Sequence, residues 1–282
     1  MMRELPVSAV RAAVRQLFLD ANRRIGSDIE AAMRSALERE VSPPARYALA
    51  QLTDNYAAAS ETGLPLCQDT GMAICFMTVG QDVHFTGGDL NEAGQQGVRE
   101  AYETGFFRKS IVSDPLFDRK NTSDNCPAVI HLSMVPGEAV HLLAIAKGFG
   151  SENMSRIFML PPAAGEEGVL NAIVTAVREA GPNPCPPMII GVGVGGTMEQ
   201  AALLAKRMTA RSVGSHHPDP RYAALEREAL AAINRLGIGP AGIGGRTTAL
   251  AVNIASAPTH IAGMPVAVNI CCHAARHAEA VI

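Results

Sequence analysis

The sequence predicts a mixed α/β fold (α+β), with a helical N-terminal layer over about residues 1–60 packed on a mixed β-sheet core. Two observations carry this. Through the first stretch the apolar residues recur at helical spacing. After Pro65 the texture changes to short apolar runs, bounded by Gly, Pro and Asn and separated by amphipathic stretches. No internal repeat, low-complexity tract or flexible linker interrupts the pattern, so the chain is expected to form a single domain, 1–282.

Taken in order, Val10, Val14, Leu17 and Ala21 make an apolar stripe on the first helix. Ser27-Asp28-Ile29-Glu30 reads as a capping box that opens a second helix, which should stop near Ser42-Pro43-Pro44 because Pro disfavours helical geometry in the residue before it. A third helix is expected at 45–59, and residues 73–79 form a buried strand. Val129–Val135 and residues 140–146 read as a strand pair around the turn-like Pro136-Gly137-Glu138. Helices are predicted at 89–102, 166–179 and Met198–Met208. Another opens at Asp219-Pro220, a capping Asp before Pro at the first helical position, and closes at Leu236-Gly237. Apolar runs at 249–255 and 266–270 follow among glycine-rich turns.

Composition narrows the function. With 48% hydrophobic and 18% charged residues the chain is globular, and a net charge of −3 gives nucleic acid no electrostatic handle. There is no Trp, only four Tyr, and no basic run interleaved with aromatics. No stretch reaches the ~18–20 apolar residues that span a bilayer, and Met1-Met2-Arg3-Glu4-Leu5-Pro6 lacks the apolar core of a signal peptide. Neither nucleic acid nor membrane is therefore expected as partner, and the cytoplasm is the expected compartment. Thiols stay reduced there, so the six Cys read as buried side chains, metal ligands or reactive groups and not as a disulfide framework.

Three segments concentrate Gly, Pro, Cys and polar residues: Pro65-Leu66-Cys67-Gln68-Asp69-Thr70-Gly71, Asn183-Pro184-Cys185-Pro186-Pro187 and Asn269-Ile270-Cys271-Cys272-His273. Their wide separation excludes a zinc finger or ferredoxin run, whose ligands cluster within a few residues. It permits a cluster built from three distant turns, which would leave one iron open as a Lewis acid. The bland alternative is that each Cys is a small buried side chain. Spacing does not choose three ligands from six cysteines. Cys75 falls inside a predicted strand, and neither Cys126 nor Cys271 has a distinctive partner.

Gly191-Val192-Gly193-Val194-Gly195-Gly196, after an apolar run and before a helix, satisfies the dinucleotide fingerprint literally, so a nucleotide-binding protein using residues 191–196 is a rival of another class. The fingerprint also wants an acidic residue ~20 positions on, and none lies between Glu199 and Asp219. Close packing of strand on helix is the better use of these glycines. Lys147-Gly148-Phe149-Gly150-Ser151-Glu152-Asn153 is a second glycine-flanked turn whose amides could meet an anion. Arg108 offers a planar fork to a carboxylate, and His260 and His273 flank the last apolar run. Alone, each of these is more often a solvated or hydrogen-bonded residue than a functional one.

Together the segments resemble the class I fumarate hydratase and tartrate dehydratase family. The resemblance rests on the Pro65–Gly71, Lys147–Asn153 and Gly181–Pro187 segments, Gly244-Gly245-Arg246-Thr247-Thr248 and Pro258-Thr259-His260-Ile261-Ala262, in the family's order from about residue 30 onward. It implies a 4Fe–4S cluster on Cys67, Cys185 and Cys272. The last is preferred to Cys271 because the family's ligand directly precedes the His of Cys-His-Ala-Ala-Arg-His; Cys at 271 departs from that pattern. The resemblance places Gln68, Asp69, Arg108, Gly148 and Gly150 at a small dicarboxylate substrate, with Asp69 and His260 as catalytic residues. It also implies the alpha subunit of a hetero-oligomeric hydro-lyase that hydrates fumarate to malate, completed by a separate beta subunit. The alternative within the family is the L-tartrate dehydratase alpha subunit.

Overall fold

A computed structural model describes residues 2–282. In chain order the elements begin with β1 (Arg3–Pro6), α1 (Val7–Arg23), α2 (Ser27–Arg39) and α3 (Pro43–Thr62). Next come β2 (Met72–Gly80), β3 (Val83–Thr86), α4 (Leu90–Thr104), β4 (Val129–Val135), β5 (Val140–Lys147) and the single turn α5 (Phe149–Glu152). The remainder is β6 (Arg156–Leu160), α6 (Gly165–Ala180), β7 (Met188–Gly195), α7 (Met198–Met208), α8 (Pro220–Asn234), β8 (Ala249–Ala257), β9 (Met264–Cys271) and β10 (His277–Val281). The mixed α/β class is as the sequence predicts, and no helix among the described residues is long and apolar enough to cross a membrane.

The chain divides into two compact units, one made of residues 1–25, 56–149 and 276–282, the other of 26–55 and 150–275. In the first, four strands lie in the order β10-β5-β2-β4, and β1 pairs with β3 in a parallel ribbon. Val10, Val14 and Phe18 of α1, each at most 1% exposed, pack with Val98, Ala101 and Tyr102 of α4 and with Cys75, Met77 and Val79 of β2. Each such aliphatic or aromatic side chain contributes about 1.5–3 kcal/mol on burial. In the second unit the order is β6-β9-β7-β8, and an apolar cluster from α6, α8, β7 and β8 fills one face.

Three local expectations are corrected. Residues 129–135 and 140–147 are not a hairpin: β2 lies between them, parallel to β4 and antiparallel to β5. The long uncharged β2 is buried along almost its whole length and can take a neighbour on both edges, which a simple turn signal does not reveal. The first ~60 residues also contain a strand, since β1 adds to β3 with Leu5 buried. Ser27 is not a cap: the helix already begins there, and the Glu30 amide bonds to the carbonyl of Gly26. By contrast Asp89 and Asp219 cap α4 and α8, accepting from the amides of Glu92 and Arg221.

The glycine run is a strand and not a phosphate loop. Residues 191–195 belong to β7, and a Cβ on Gly191 or Gly193 would stand 2.1 Å from a backbone oxygen of α7. The glycines let a helix lie directly on the strand, and their ladder pairs with β8 and β9 occupy amides that an anion would need.

One buried carboxylate ties the second unit together. Glu40 accepts from the amides of Val41 (2.9 Å) and Ser42 (3.0 Å) with one oxygen and from Arg246, in the Gly244-Gly245-Arg246 segment, with the other (2.7 Å). Burial opposes its charge, but the amides of Ser42, Arg246 and Val41 outweigh that and hold its pKa below the ordinary value. A depressed folded-state pKa gives stability that is present above the unfolded value, about 4.3, and lost as pH falls through the folded one. Glu40→Gln is expected to lower stability by about 1–3 kcal/mol at neutral pH. In urea unfolding the gap to wild type should close toward about pH 3; a gap independent of pH would contradict this account.

Candidate functional site

In the first unit the site forms around the turn between α3 and β2. Leu66 is buried and donates its amide to the carbonyl of Asn22 (2.8 Å), which anchors the turn to the end of α1. Cys67 is half-exposed, and its thiol points to Gln68 Oε1 at 3.3 Å. Gln68 is exposed. Asp69 is half-buried, and its carboxylate is held on both sides: Oδ1 accepts from the Gly71 amide (3.0 Å) and Oδ2 from the Phe149 amide (2.9 Å). Two fixed amides leave the carboxylate little rotational freedom.

The supports beneath the turn are buried. Tyr102 directs its hydroxyl at the carbonyls of Thr70 (2.7 Å) and Gly71 (2.9 Å), and burial pushes the phenol pKa upward. Asn125 donates to the Gly71 carbonyl at 3.2 Å. Gly71 has φ +80°, and a Cβ there would meet the Lys147 backbone at 2.8 Å, so strand β5 lies against the turn as only glycine allows. The Thr70 hydroxyl donates to the Arg108 carbonyl (2.7 Å), and Asn125 Oδ1 accepts from the Ser110 amide (2.8 Å). These bonds fix the Arg108 backbone beside Asp69's turn while its side chain stays exposed. Gly148 is also there: a Cβ on it would lie 3.2 Å from Asp69 Oδ2. The first unit thus brings together Cys67, Gln68, Asp69, Arg108 and Gly148.

In the second unit Cys185 stands exposed at φ +54° in the Pro182–Pro187 turn, its carbonyl accepting from the His273 amide (3.3 Å). That bond sets the Cys272-His273 segment beside Cys185. Cys272 is half-exposed, just past β9, with Sγ 3.6 Å from the Ala274 carbonyl, whereas Cys271 is buried in the strand. The Cys185 turn is braced by the Ala241 amide, which donates to the Pro186 carbonyl (2.9 Å). His260 is exposed on the loop after β8; its Nδ1 accepts from the Ala262 amide (3.1 Å), leaving Nε2 as the ring donor. Gly150 is exposed on α5.

The six cysteines separate by environment, and no disulfide joins them. Burial pushes the Cys75 thiol up to about 12 and the Cys126 thiol up to about 11, so neither supplies a thiolate readily. Cys67, Cys185 and Cys272 lie in turns with access to solvent. Among the described residues no three His, Cys, Asp or Glu side chains form a group able to hold a single metal ion. Sequence reasoning missed the turn's buried supports, Asn22, Tyr102, Asn125 and Arg276. Only Arg276 carried any signal, as the Arg of Cys-His-Ala-Ala-Arg-His.

The family described as fumarate hydratase (fumerase) matches residues 11–281. A Methanocaldococcus jannaschii protein provisionally named L(+)-tartrate dehydratase subunit alpha is 37% identical over 267 residues, covering 93% of this chain and 94% of its own length. The L(+)-tartrate dehydratase subunit alpha of Escherichia coli (strain K12) is 31% identical over 255 residues, covering 90% of this chain and 84% of its own. The protein of the same name from Shigella sonnei matches to the same extent.

Proposed function

The chain belongs to the fumarate hydratase (fumerase) family, and from that premise we propose that it is the alpha subunit of a hydro-lyase that adds water to fumarate, giving malate, and removes it again. The observation that carries this is the Asp69 carboxylate, fixed by two amides one residue beyond Gln68 and two beyond a solvent-accessible thiol. In this reading residues 1–282 act as one hydro-lyase unit in the cytoplasm, paired with a beta subunit in a hetero-oligomer. The names of the relatives, each an alpha subunit, support a partner.

Cys67, Cys185 and Cys272 are proposed to hold a 4Fe–4S cluster. The donor chemistry fits: three accessible thiols in turns, set apart from three buried ones. A cluster spreads its thiolates over separate corners and does not need the compact group that one ion requires. When bound, such a cluster supplies a Lewis acid that polarises a substrate oxygen. The remaining work falls to the chain's own residues. Asp69 carries the proton that hydration adds and dehydration removes, its oxygens kept in place by the Gly71 and Phe149 amides. The exposed Arg108 fork binds one substrate carboxylate, with Gln68 beside it as a neutral hydrogen-bonding group. Gly148 and Gly150 leave room for substrate, and His260 offers its Nε2–H to a substrate oxygen.

Anaerobic co-expression with the beta subunit, followed by iron and sulfide counts and assays with fumarate, L-malate and L-tartrate, tests the proposal. A brown complex that interconverts fumarate and malate is expected, with little or no turnover by the isolated chain. Full activity of the isolated chain, or a colourless and inactive complex, would overturn it. L-tartrate is the second reading, carried by the names of the relatives; the same parallel assay separates the two.

A further inference from the structure

Arg276 is one of the largest fully buried side chains, 2% exposed, and it lies in the same compact unit as Asp69. Its hydrogen-bond partners are neutral: Nη1 donates to Asn22 Oδ1 (3.2 Å) and to the backbone carbonyl of Asp69. Its Nε has no hydrogen-bond partner among the described residues. A buried guanidinium held by carbonyl oxygens is costly, since desolvation is not offset by an opposite charge in contact. A fold has little reason to keep it for stability alone. Its place suggests what it is kept for. A Cβ on Gly148 would lie 3.2 Å from Arg276 Nη2 and 3.2 Å from Asp69 Oδ2, so the guanidinium and the carboxylate both flank this glycine.

We infer that Arg276 is a positioning residue: it grips the Asp69 carbonyl from beneath and fixes the direction in which the Asp69 carboxylate meets substrate. The grip extends along the chain. Asn22 Oδ1 shares Nη1 with the Asp69 carbonyl, the Asn22 carbonyl holds the Leu66 amide, and the Arg276 carbonyl accepts from the Ala146 amide (3.0 Å) on β5. The Arg276 side chain thus holds the Asp69 end of the turn directly and the Leu66 end through Asn22, while its backbone carbonyl ties in the strand behind. A Cβ at Gly148 would need both charged groups to give by a few tenths of an ångström. This inference rests on the role proposed for Asp69.

The test uses Arg276→Lys, Arg276→Gln and Gly148→Ala in the full chain. In the isolated chain, amide hydrogen exchange at Gly71 and Phe149, the two donors to Asp69, should speed about tenfold or more in Arg276→Gln. In the complex with the beta subunit, kcat should fall about 10²-fold, as a displacement near 1 Å costs, with KM within about threefold of wild type and iron content unchanged. Arg276→Lys, which keeps one donor, should recover part of the loss. Gly148→Ala should speed exchange at the same two amides, and that readout stands in if the Arg276 variants fail to fold. Unchanged exchange with kcat within about threefold would overturn the inference, as would loss of iron in step with activity. If the wild-type complex hydrates no dicarboxylate, the proposed function fails on its own, and the exchange measurement still decides whether Arg276 holds the turn.

Discussion

Single replacement of Cys67, Cys185 or Cys272 by Ser is expected to abolish iron retention, and with it all measurable hydration, while Cys75→Ser and Cys126→Ser leave both intact. The contrast comes from environment. Cys75 is 1% exposed and Cys126 4%, each inside the first unit's core. Serine there costs roughly 1–3 kcal/mol for a buried hydroxyl but removes no accessible sulfur. The other three sit in turns, and Cys185 is held at positive φ, a backbone choice that sets its side chain outward at some conformational expense. Iron and sulfide content of anaerobically prepared variants is the direct measure. A Cys185→Ser protein with a full complement of iron would remove that residue from the ligand set. A Cys75→Ser protein without iron would redraw the set altogether.

Asp69→Asn should lower kcat by about 10²–10⁴-fold, the usual contribution of a positioned acid/base group, and leave iron content unchanged. The amide cannot reproduce the wild-type hydrogen bonds. Asp69 accepts from two backbone amides, one per oxygen. An Asn side chain can accept only through its oxygen, so its NH₂ would face one of those N–H groups. Some local loosening should accompany the loss of proton transfer, and circular dichroism with thermal melting separates the two. A variant that melts close to wild type yet turns over substrate at wild-type rate would exclude Asp69 as the proton carrier.

Much of the fold was readable from periodicity and punctuation. The α8 cap followed from Asp219 before Pro220, because a carboxylate satisfying orphan amides is a local event, whereas the Asp89 cap of α4 emerged only in the structure. Strand order was not local. That β2 parts β4 from β5 depends on what each edge can bury, and a turn signal such as Pro136-Gly137-Glu138 reports only that the chain reverses. The glycines of β7 were legible as packing residues once the acidic partner of a dinucleotide site was missed. At the candidate site, Cys67 and Asp69 stood out through their motif, while Arg108 was singled out by the family resemblance. Their supports did not. Asn22 and Tyr102 sit on helices where a polar residue is unremarkable, and only three-dimensional folding carries them beneath the turn. Side chains that position others carry no composition of their own, and their partners are distant in sequence.

The first unit draws on residues 1–25 and 56–149 and then waits for 276–282. During synthesis the second unit has all its strands by Cys271, while the first still lacks β10 and Arg276. The portion that leaves the ribosome earliest is therefore the last to be completed. Until residue 276 is made, the loop bearing Asp69 has no guanidinium under it, and a nascent chain stalled between Cys272 and Arg276 would carry all six cysteines while the Asp69 carbonyl still lacked its donor.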